Sequence, residues 1–486
     1  MKASAKSTPE RSATILPQMA RVIASPALTA TLLLLSDILA ILAARYCGAR
    51  LWSIYNPALG PENYFDLGIS VAVALVVYGS LGLYTPAGLG PVDELRRSVG
   101  GAALVALSLT GSAFLAKESE WYSRGAFFVS SAVVAVLVPL FRALTRSAFA
   151  SKPWWGVPVA VLGAAKTVAP VIDTLRRNPE LGYKPVACLD HETAHIDAIG
   201  GVPVVGTLRA ARDLAGRGIR HAMVAMHGLD RRSLVALLEN ECAVFSHVIV
   251  IPDLFGVASL WVAPKDLGGV LGLELRRNLL VPVNQILKRA LDIVVAAATL
   301  LVTLPIVAAA ALWVRLTGGS PVLYRQQRLG EGERPIEVWK LRTMHVGAEE
   351  MLERHLDASP DAREEWERFY KLKQDPRLVR GGAFLRRTSV DEFPQLWNVL
   401  RGEMSLVGPR PLPPYHLDRF SPEFRALRSR VKPGVTGLWQ VSARSDGDLA
   451  VQEALDSYYI RNWSVWLDLY LLARTFRAVL LGRGAY

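Results

Sequence analysis

The chain has 486 residues, room for two or three cores, and 51% of them are hydrophobic with a mean hydropathy of +0.26. Its net charge of +12 suits nucleic acid, an anionic membrane surface or phosphate-rich substrates. The apolar residues cluster in runs long enough for a bilayer, which favours the last two and sets nucleic acid aside.

Polar residues carrying Lys2, Lys6, Arg11 and Arg21 make up a tail over 1–26, with no cleavable signal peptide evident. Four apolar segments follow, at about 27–44, 67–84, 99–116 and 126–144, each near the ~20 residues a spanning helix needs. They predict a four-helix transmembrane bundle over 27–146. Arg96 and Arg97 lie between the second and third segments, and Arg142, Arg146 and Lys152 at the exit of the fourth. The positive-inside rule then puts both ends of the bundle in the cytoplasm. Asp37 lies inside the first segment, as a functional intramembrane charge or, the preferred reading, as a structural contact within the bundle. Cys47, Cys188 and Cys242 are far apart and have no metal-ligand spacing, so they read as free thiols.

Residues 153–265 change character. Short β-like runs at 157–163, 185–190, 221–227 and 247–253 alternate with helical stretches at 167–177 and 231–243, the pattern of a Rossmann-like α/β domain with a mostly parallel sheet. The turn Gly163-Ala164-Ala165-Lys166 lacks the second and third glycines of a dinucleotide fingerprint, although Asp190 stands where a ribose-binding acid would. A structural or regulatory role is expected, with cofactor binding the lesser alternative. Residues 266–283 read as a linker.

The next apolar run, 293–314, has Lys288 and Arg289 before it, Arg315 after it and Pro305 in its middle. Both basic flanks prefer the cytoplasmic side, and a proline breaks the helical hydrogen-bond ladder. A re-entrant helix–break–helix hairpin over about 286–315 is therefore expected, the alternative being a fifth, proline-kinked span. Residues 348–373 read as a solvated helical stretch. In the C-terminal stretch Trp463, Trp466, Leu467, Tyr470 and Leu471 share one helical stripe, compatible equally with an interfacial helix and with core packing.

The densest chemistry lies at Arg386-Arg387-Thr388-Ser389-Val390-Asp391-Glu392-Phe393-Pro394-Gln395. Adjacent carboxylates beside arginines can hold a divalent cation or divide the roles of nucleophile and metal ligand. Locally, Ser389 and Glu392 also fit a helix capping box. Further cations surround them in sequence: Tyr324-Arg325-Gln326-Gln327-Arg328, Lys340-Leu341-Arg342, the rigid turn Gly408-Pro409-Arg410-Pro411, and the loop opened by Lys432-Pro433-Gly434. Arginine forks and close-approaching glycines suit phosphate, so Arg325, Lys340, Arg342, Arg386, Arg410 and Lys432 are the candidate phosphate-binding residues.

With these motifs in order, residues 283–486 resemble the monotopic phosphoglycosyl transferases. The resemblance rests on Lys288-Arg289-Ala290-Leu291-Asp292, the Pro305 segment, Tyr324-Arg325-Gln326, Trp339-Lys340-Leu341-Arg342-Thr343-Met344, Asp375-Pro376-Arg377, Thr388 through Gln395, Met404 through Pro411, and Pro433 through Gln440. The upstream helices and α/β domain are similar to the long subgroup that primes O-antigen, capsule or exopolysaccharide synthesis. One departure is Leu304 before Pro305, where some relatives have serine. The resemblance implies a bacterial inner-membrane enzyme with its catalytic domain on the cytoplasmic face. Asp391 would attack the β-phosphate of a UDP-sugar, UMP would leave, and undecaprenyl phosphate would take the sugar-phosphate. Glu392 would help hold Mg²⁺. Likeness to the galactose-transferring group, including the Arg483-Gly484-Ala485-Tyr486 ending, puts galactose first and glucose second. A homodimer is expected by analogy with the long subgroup. Two other classes compete: an NAD-binding membrane redox sensor and a non-catalytic assembly scaffold.

Overall fold

A computed structural model describes residues 24–57, 67–115, 123–190, 197–226, 231–251, 262–266, 271–275, 278–369, 372, 375–442 and 449–480. The polar tail before 24 and the Arg483–Tyr486 ending lie outside the described residues. The chain forms two compact units, Met1–Phe255 and Gly256–Tyr486.

The first unit opens with four apolar helices, α1 (Pro26–Tyr55), α2 (Leu67–Ser80), α3 (Pro91–Leu115) and α4 (Arg124–Phe149). Ser25 and Ser123 start α1 and α4 by accepting hydrogen bonds from Leu28 N (3.3 Å) and Ala126 N (3.4 Å). By length and composition α1, α3 and α4 can each cross a membrane, while α2 is described only over a shorter stretch. Small residues let the helices close up. A Cβ on Gly48 of α1 would lie 2.3 Å from Ser130 Oγ of α4, and one on Gly101 of α3 would lie 2.5 Å from the Tyr78 ring of α2.

Charge, buried in the bundle, fixes its register. The Arg142 guanidinium is fully buried and bonds Asp37 bidentately (2.8 and 2.7 Å), Glu94 (2.8 Å) and the Leu83 carbonyl (3.0 Å). Arg146 Nε bonds the other Glu94 oxygen at 2.7 Å, and its Nη1 reaches Glu180 O at 2.7 Å. Asp37 is therefore a structural contact joining α1 to α4.

The rest of this unit is a six-stranded sheet built from β1 (Val157–Leu162), β2 (Tyr183–Asp190), β3 (Ala198–Ile199), β4 (Val202–Thr207), β5 (His221–Val224) and β6 (His247–Val250), in the order β3-β4-β2-β1-β5-β6. All neighbours pair in parallel except β3 with β4. Helix α5 (Ala165–Arg177) follows β1. Side chains of β1 alternate between two cores: Val157, Val159 and Val161 face one, Ala160 and Leu162 the other. The expected parallel sheet is present. Sequence reading missed β4, where Pro203 and Gly206 interrupt the β-like composition of a six-residue run. At the crevice between β1 and β5 the chain fills its own space. A Cβ on Gly163 would lie 2.3 Å from Ala225 O, and Thr167 Oγ1 donates to the Ala164 and Ala225 carbonyls.

In the second unit an antiparallel ribbon of β7 (Val262–Asp266) and β8 (Leu271–Leu275) overlaps the stretch expected to be a linker. Helix α6 (Pro282–Gly318) follows, then the antiparallel strands β9 (Leu323–Leu329) and β10 (Pro335–Leu341). The expected break at Pro305 is not found: α6 continues through it over 37 residues. A proline removes one donor and adds one ring clash, which an otherwise apolar helix can absorb as a local distortion. The solvated stretch divides at Ser359 into Ala348–Ala358 and Pro360–Phe369. Next come α7 (Gly382–Arg387), α8 (Gln395–Arg401), the parallel pair β11 (Ser405–Val407) and β12 (Gly434–Thr436), and the closing helices α9 (Leu449–Asn462) and α10 (Val465–Leu480). Trp463, Leu467 and Leu471 are at most 2% exposed, so that stripe is core packing.

Removing one member of the buried charge cluster strands the others. Arg142→Met is expected to destabilise the first unit by about 3–5 kcal/mol, because Asp37 and Glu94 lose their shared counter-charge. Thermal melting of the full chain in detergent checks this; an unchanged melting temperature would show that the bundle does not depend on the cluster.

Candidate active site

The site is assembled on a strained turn. Val390–Glu392 forms a single 3-10 turn, and Ser389 before it holds the left-handed φ of 56°. That conformation costs a residue with a Cβ about 1–2 kcal/mol. Ser389 makes no side-chain capping bond, so the capping-box reading of Ser389 and Glu392 does not hold. The turn sends its two carboxylates into different surroundings. Asp391 is 7% exposed, and its carboxyl is pushed up to about 6, chiefly by burial and then by the Glu392 charge, against the pull of Lys340 and Arg386. Glu392, about a quarter exposed, accepts from Lys340 Nζ at 2.7 Å and faces Arg410 Nη2 at 3.6 Å.

Three supports hold the turn. The first is Asn398 on α8, fully buried. Its Nδ2 donates to Glu337 O (2.6 Å) and Glu403 Oε2 (2.7 Å), and its Oδ1 accepts from Trp339 N (3.2 Å), which ties α8 to β10. The second is the polar head of α6. Arg289 donates to the Val399 and Leu400 carbonyls at the end of α8 (2.6 and 2.8 Å), and Asp292 accepts from Ser405 Oγ (3.1 Å) and Leu406 N (3.0 Å). Lys288 Nζ meets Asp468 (2.8 Å), the Tyr459 hydroxyl (3.2 Å) and Val407 O (3.0 Å). Burial raises the pKa of Asp468 even against that ammonium. The third is backbone against backbone. A Cβ on Gly434 would lie 2.1 Å from Gly408 N, and one on Gly437 would lie 2.2 Å from Gly408 O. These glycines serve the contact between the two loops, so the close approach they permit is to protein.

Beside the turn lies a small open cleft lined by Gln326, Arg328, Lys340, Glu392, Gln395, Arg410 and Gln440 among others. Of the predicted phosphate-binding residues, Lys340 and Arg410 line it. Arg386 lies beneath the turn, its Nε donating to Thr343 Oγ1 at 2.9 Å. Three others are elsewhere. Arg325 pairs with Trp339 across the ribbon, with its guanidinium 4.6 Å from the ring centroid, on the face opposite Gln326 and Arg328. Arg342 is buried and donates to the Gly318 and Gly319 carbonyls, closing the C-terminus of α6. Lys432 stands near Gly402, alongside Arg289. Sequence reading placed Arg328, Gln326, Gln395 and Gln440 within its motifs but did not include them among the candidate phosphate-binding residues. The period-two alternation of β9 was the available signal, since cleft-facing Lys340 pairs with Tyr324 and thereby selects the even-numbered residues of that strand.

Comparison with known proteins fits this architecture. A family model described as bacterial sugar transferase matches residues 283–482, and one described as CoA-binding domain matches 80–252. An undecaprenyl-phosphate galactose phosphotransferase of Salmonella typhimurium is 32% identical over 393 residues, covering 79% of this chain and 80% of the relative. The chain belongs to the bacterial sugar transferase family. A UDP-galactose-lipid carrier transferase of Erwinia amylovora is 33% identical over 378 residues, 76% of this chain and 78% of its own. A UDP-glucose:undecaprenyl-phosphate glucose-1-phosphate transferase of Escherichia coli is 33% identical over 338 residues, 68% of each chain. The transferase match thus contains the strained turn, the cleft and the polar head of α6.

The two faces of β9 set up a direct contrast in this transferase. Arg328→Ala is expected to lower sugar-phosphate transfer tenfold or more, the loss of one charge-assisted contact at about 1.5–3 kcal/mol. Arg325→Ala should stay within about threefold of wild type, because an exposed cation on an aromatic ring contributes about 0.5–1 kcal/mol. Initial rates in purified membranes measure both; a larger loss for Arg325 would place the substrate on the other face of the ribbon.

Proposed function

We propose that the protein transfers hexose-1-phosphate, galactose-1-phosphate first, from a UDP-sugar to undecaprenyl phosphate at the cytoplasmic face of a bacterial inner membrane, through a covalent intermediate on Asp391. The observation that carries this reading is the divided carboxylate pair: a buried Asp391 on a strained turn and a Glu392 paired with cations at a cleft lined by Lys340, Arg328 and Arg410. An Asp391 oxygen attacks the β-phosphorus of the UDP-sugar, and the bond to the bridging oxygen breaks. UMP leaves, and the sugar-phosphate remains as an acyl phosphate. A phosphate oxygen of undecaprenyl phosphate then attacks the same phosphorus. The acyl-phosphate bond breaks, the carboxylate is regenerated, and the product is an undecaprenyl diphosphate sugar. The product would start the assembly of an O-antigen, capsule or exopolysaccharide.

The donor set fits Mg²⁺, which commonly takes one or two protein carboxylates and completes its shell with substrate phosphates and water. Glu392, with Asp391 beside it, would hold the ion; when bound it supplies charge neutralisation for the diphosphate. Arg410 and Arg328 would bind phosphate oxygens from the cleft, and Arg386 would steady the turn from beneath. Galactose comes first because the galactose-named relatives match more of the chain, 79% and 76%, than the glucose-named relative of Escherichia coli at 68%. The middle domain reads as structural, since its switch-point crevice is filled by Thr167 and the Gly163–Ala225 contact.

The proposed site must reach a lipid phosphate at headgroup level, and a re-entrant α6, kinked at Pro305 without losing its helical continuity, would bring it there. Supporting this, both ends of α6 anchor on the same catalytic unit. Lys288, Arg289 and Asp292 do so at one end; Ala310, Val314 and the Trp313 bond to Arg380 O (2.8 Å) do so at the other. Single cysteines at positions 288 and 315, in a background lacking the native three, are expected to label from the same side of the membrane. Labelling from opposite sides would make α6 a span.

The chemistry has its own test. UMP release from a panel of UDP-sugars with undecaprenyl phosphate and Mg²⁺ should be fastest with UDP-galactose. Asp391→Asn should lose several orders of magnitude in rate, at about 1.4 kcal/mol of barrier per tenfold, while staying folded. Radiolabelled UDP-sugar without acceptor should label the wild-type protein and not the Asn variant; equal labelling of both would remove Asp391 from the mechanism.

A further inference from the structure

The cleft holds a conflict that the proposed reaction must resolve. Glu392 is the carboxylate best placed to meet a divalent cation, yet its Oε1 is 2.7 Å from the Lys340 ammonium and 3.6 Å from Arg410. Lys340 is fixed by the ribbon, in register with Tyr324, and its side chain is only 22% exposed, as Glu392's is only 24%. No cluster of three or more His, Cys, Asp or Glu side chains suited to a metal occurs among the described residues. The protein therefore brings two carboxylates to the site, and one is already engaged by a monovalent cation.

We propose, resting on the transferase reading above, that Lys340 is a stand-in cation: it holds Glu392 in position before substrate arrives, then turns its ammonium from the carboxylate to a phosphate oxygen of the substrate, leaving Glu392 available to a divalent ion. Binding of a divalent ion and binding of the nucleotide sugar would thereby be coupled. The exchange conserves pairing. Before it, Lys340 neutralises Glu392 and keeps two neighbouring carboxylates from repelling each other. After it, the diphosphate has its own partner in Lys340, and Glu392 is free to help hold the divalent ion, which would supply charge neutralisation for the phosphates. Arg410, 41% exposed and at the longer distance, keeps its fork for substrate throughout. Lys340 is in this sense a positioning residue for Glu392 and then a phosphate ligand. An ammonium suits such an exchange because it is a compact charge on a flexible stem, whereas a guanidinium would hold the carboxylate through two oriented bonds.

The test measures metal affinity apart from turnover. Mn²⁺ binding to the full chain in nanodiscs is followed by electron paramagnetic resonance, with and without the methylene-bridged, uncleavable analogue of the UDP-sugar. Wild type should bind Mn²⁺ weakly alone and at least tenfold more tightly with the analogue. Lys340→Met should bind Mn²⁺ alone about tenfold more tightly than wild type, because the carboxylate is released, and should gain much less from the analogue. Lys340→Arg, which restores the positive charge, should return nucleotide-free Mn²⁺ binding to the wild-type level or below. Lys340→Met binding Mn²⁺ alone no better than wild type, with the analogue still bound by wild type, would overturn the stand-in role and leave the transferase reading intact. Failure of wild type to bind the analogue at any Mn²⁺ concentration would overturn both.

Discussion

Two adjacent carboxylates, one of them buried, are the constraint around which the catalytic unit is arranged. Asp391 and Glu392 repel each other, and burial adds to the cost of charging Asp391. The chain meets this from three directions in sequence. Lys340 arrives on β10, Arg386 on α7 and Arg410 from the turn after β11. None of these elements is adjacent in the chain, so the site exists only once they have docked. Asn398 is the joint that makes this docking unique, since its amide satisfies donors and acceptors on β10 and on the chain after α8 together.

The same economy governs the link between membrane and chemistry. The first turns of α6 carry Lys288, Arg289 and Asp292, and all three point into the catalytic unit. A helix made only of apolar residues could slide or rotate along its axis at little cost. These three side chains index it against α8, β11 and α10. At the other end, Arg342, just past β10, fastens the last carbonyls of α6 to that strand, two residues beyond the cleft-facing Lys340. Lys288 through Asp292, read in the sequence as a basic flank and a family motif, and Lys432 through Gly437, read as a phosphate-binding loop, are in this structure the joinery of the site.

Period and composition made the four apolar helices, the parallel sheet and the order of the catalytic motifs legible in the sequence. Their legibility has one cause: long apolar runs and alternating strands express burial, which is local to the element. What sequence could not supply was facing. Arg325 and Arg328 are equally basic, and only the pairing of β9 with β10 divides them between two surfaces. Arg342 looked like a phosphate ligand because its neighbours do, but a guanidinium serves helix-terminal carbonyls equally well. Likewise, the ambiguous stripe of Trp463, Leu467 and Leu471 resolves into core because β11, β12 and α9 supply a surface to cover it. Pro305 signalled a break that the helix absorbs.

The pairing of Asp37 with Arg142 sets an order for the birth of the bundle. The partners are 105 positions apart in the chain. A lone aspartate in the middle of an apolar helix costs about 2.5–3.5 kcal/mol on insertion scales. At 5–20 residues per second, its arginine is synthesised roughly 5–20 s later. Throughout that interval Asp37 lacks the partner it has in the finished bundle, a cost that the apolar length of α1 must outweigh if the helix is to enter lipid alone. The buried charge cluster is therefore completed only when the fourth helix delivers the counter-charge.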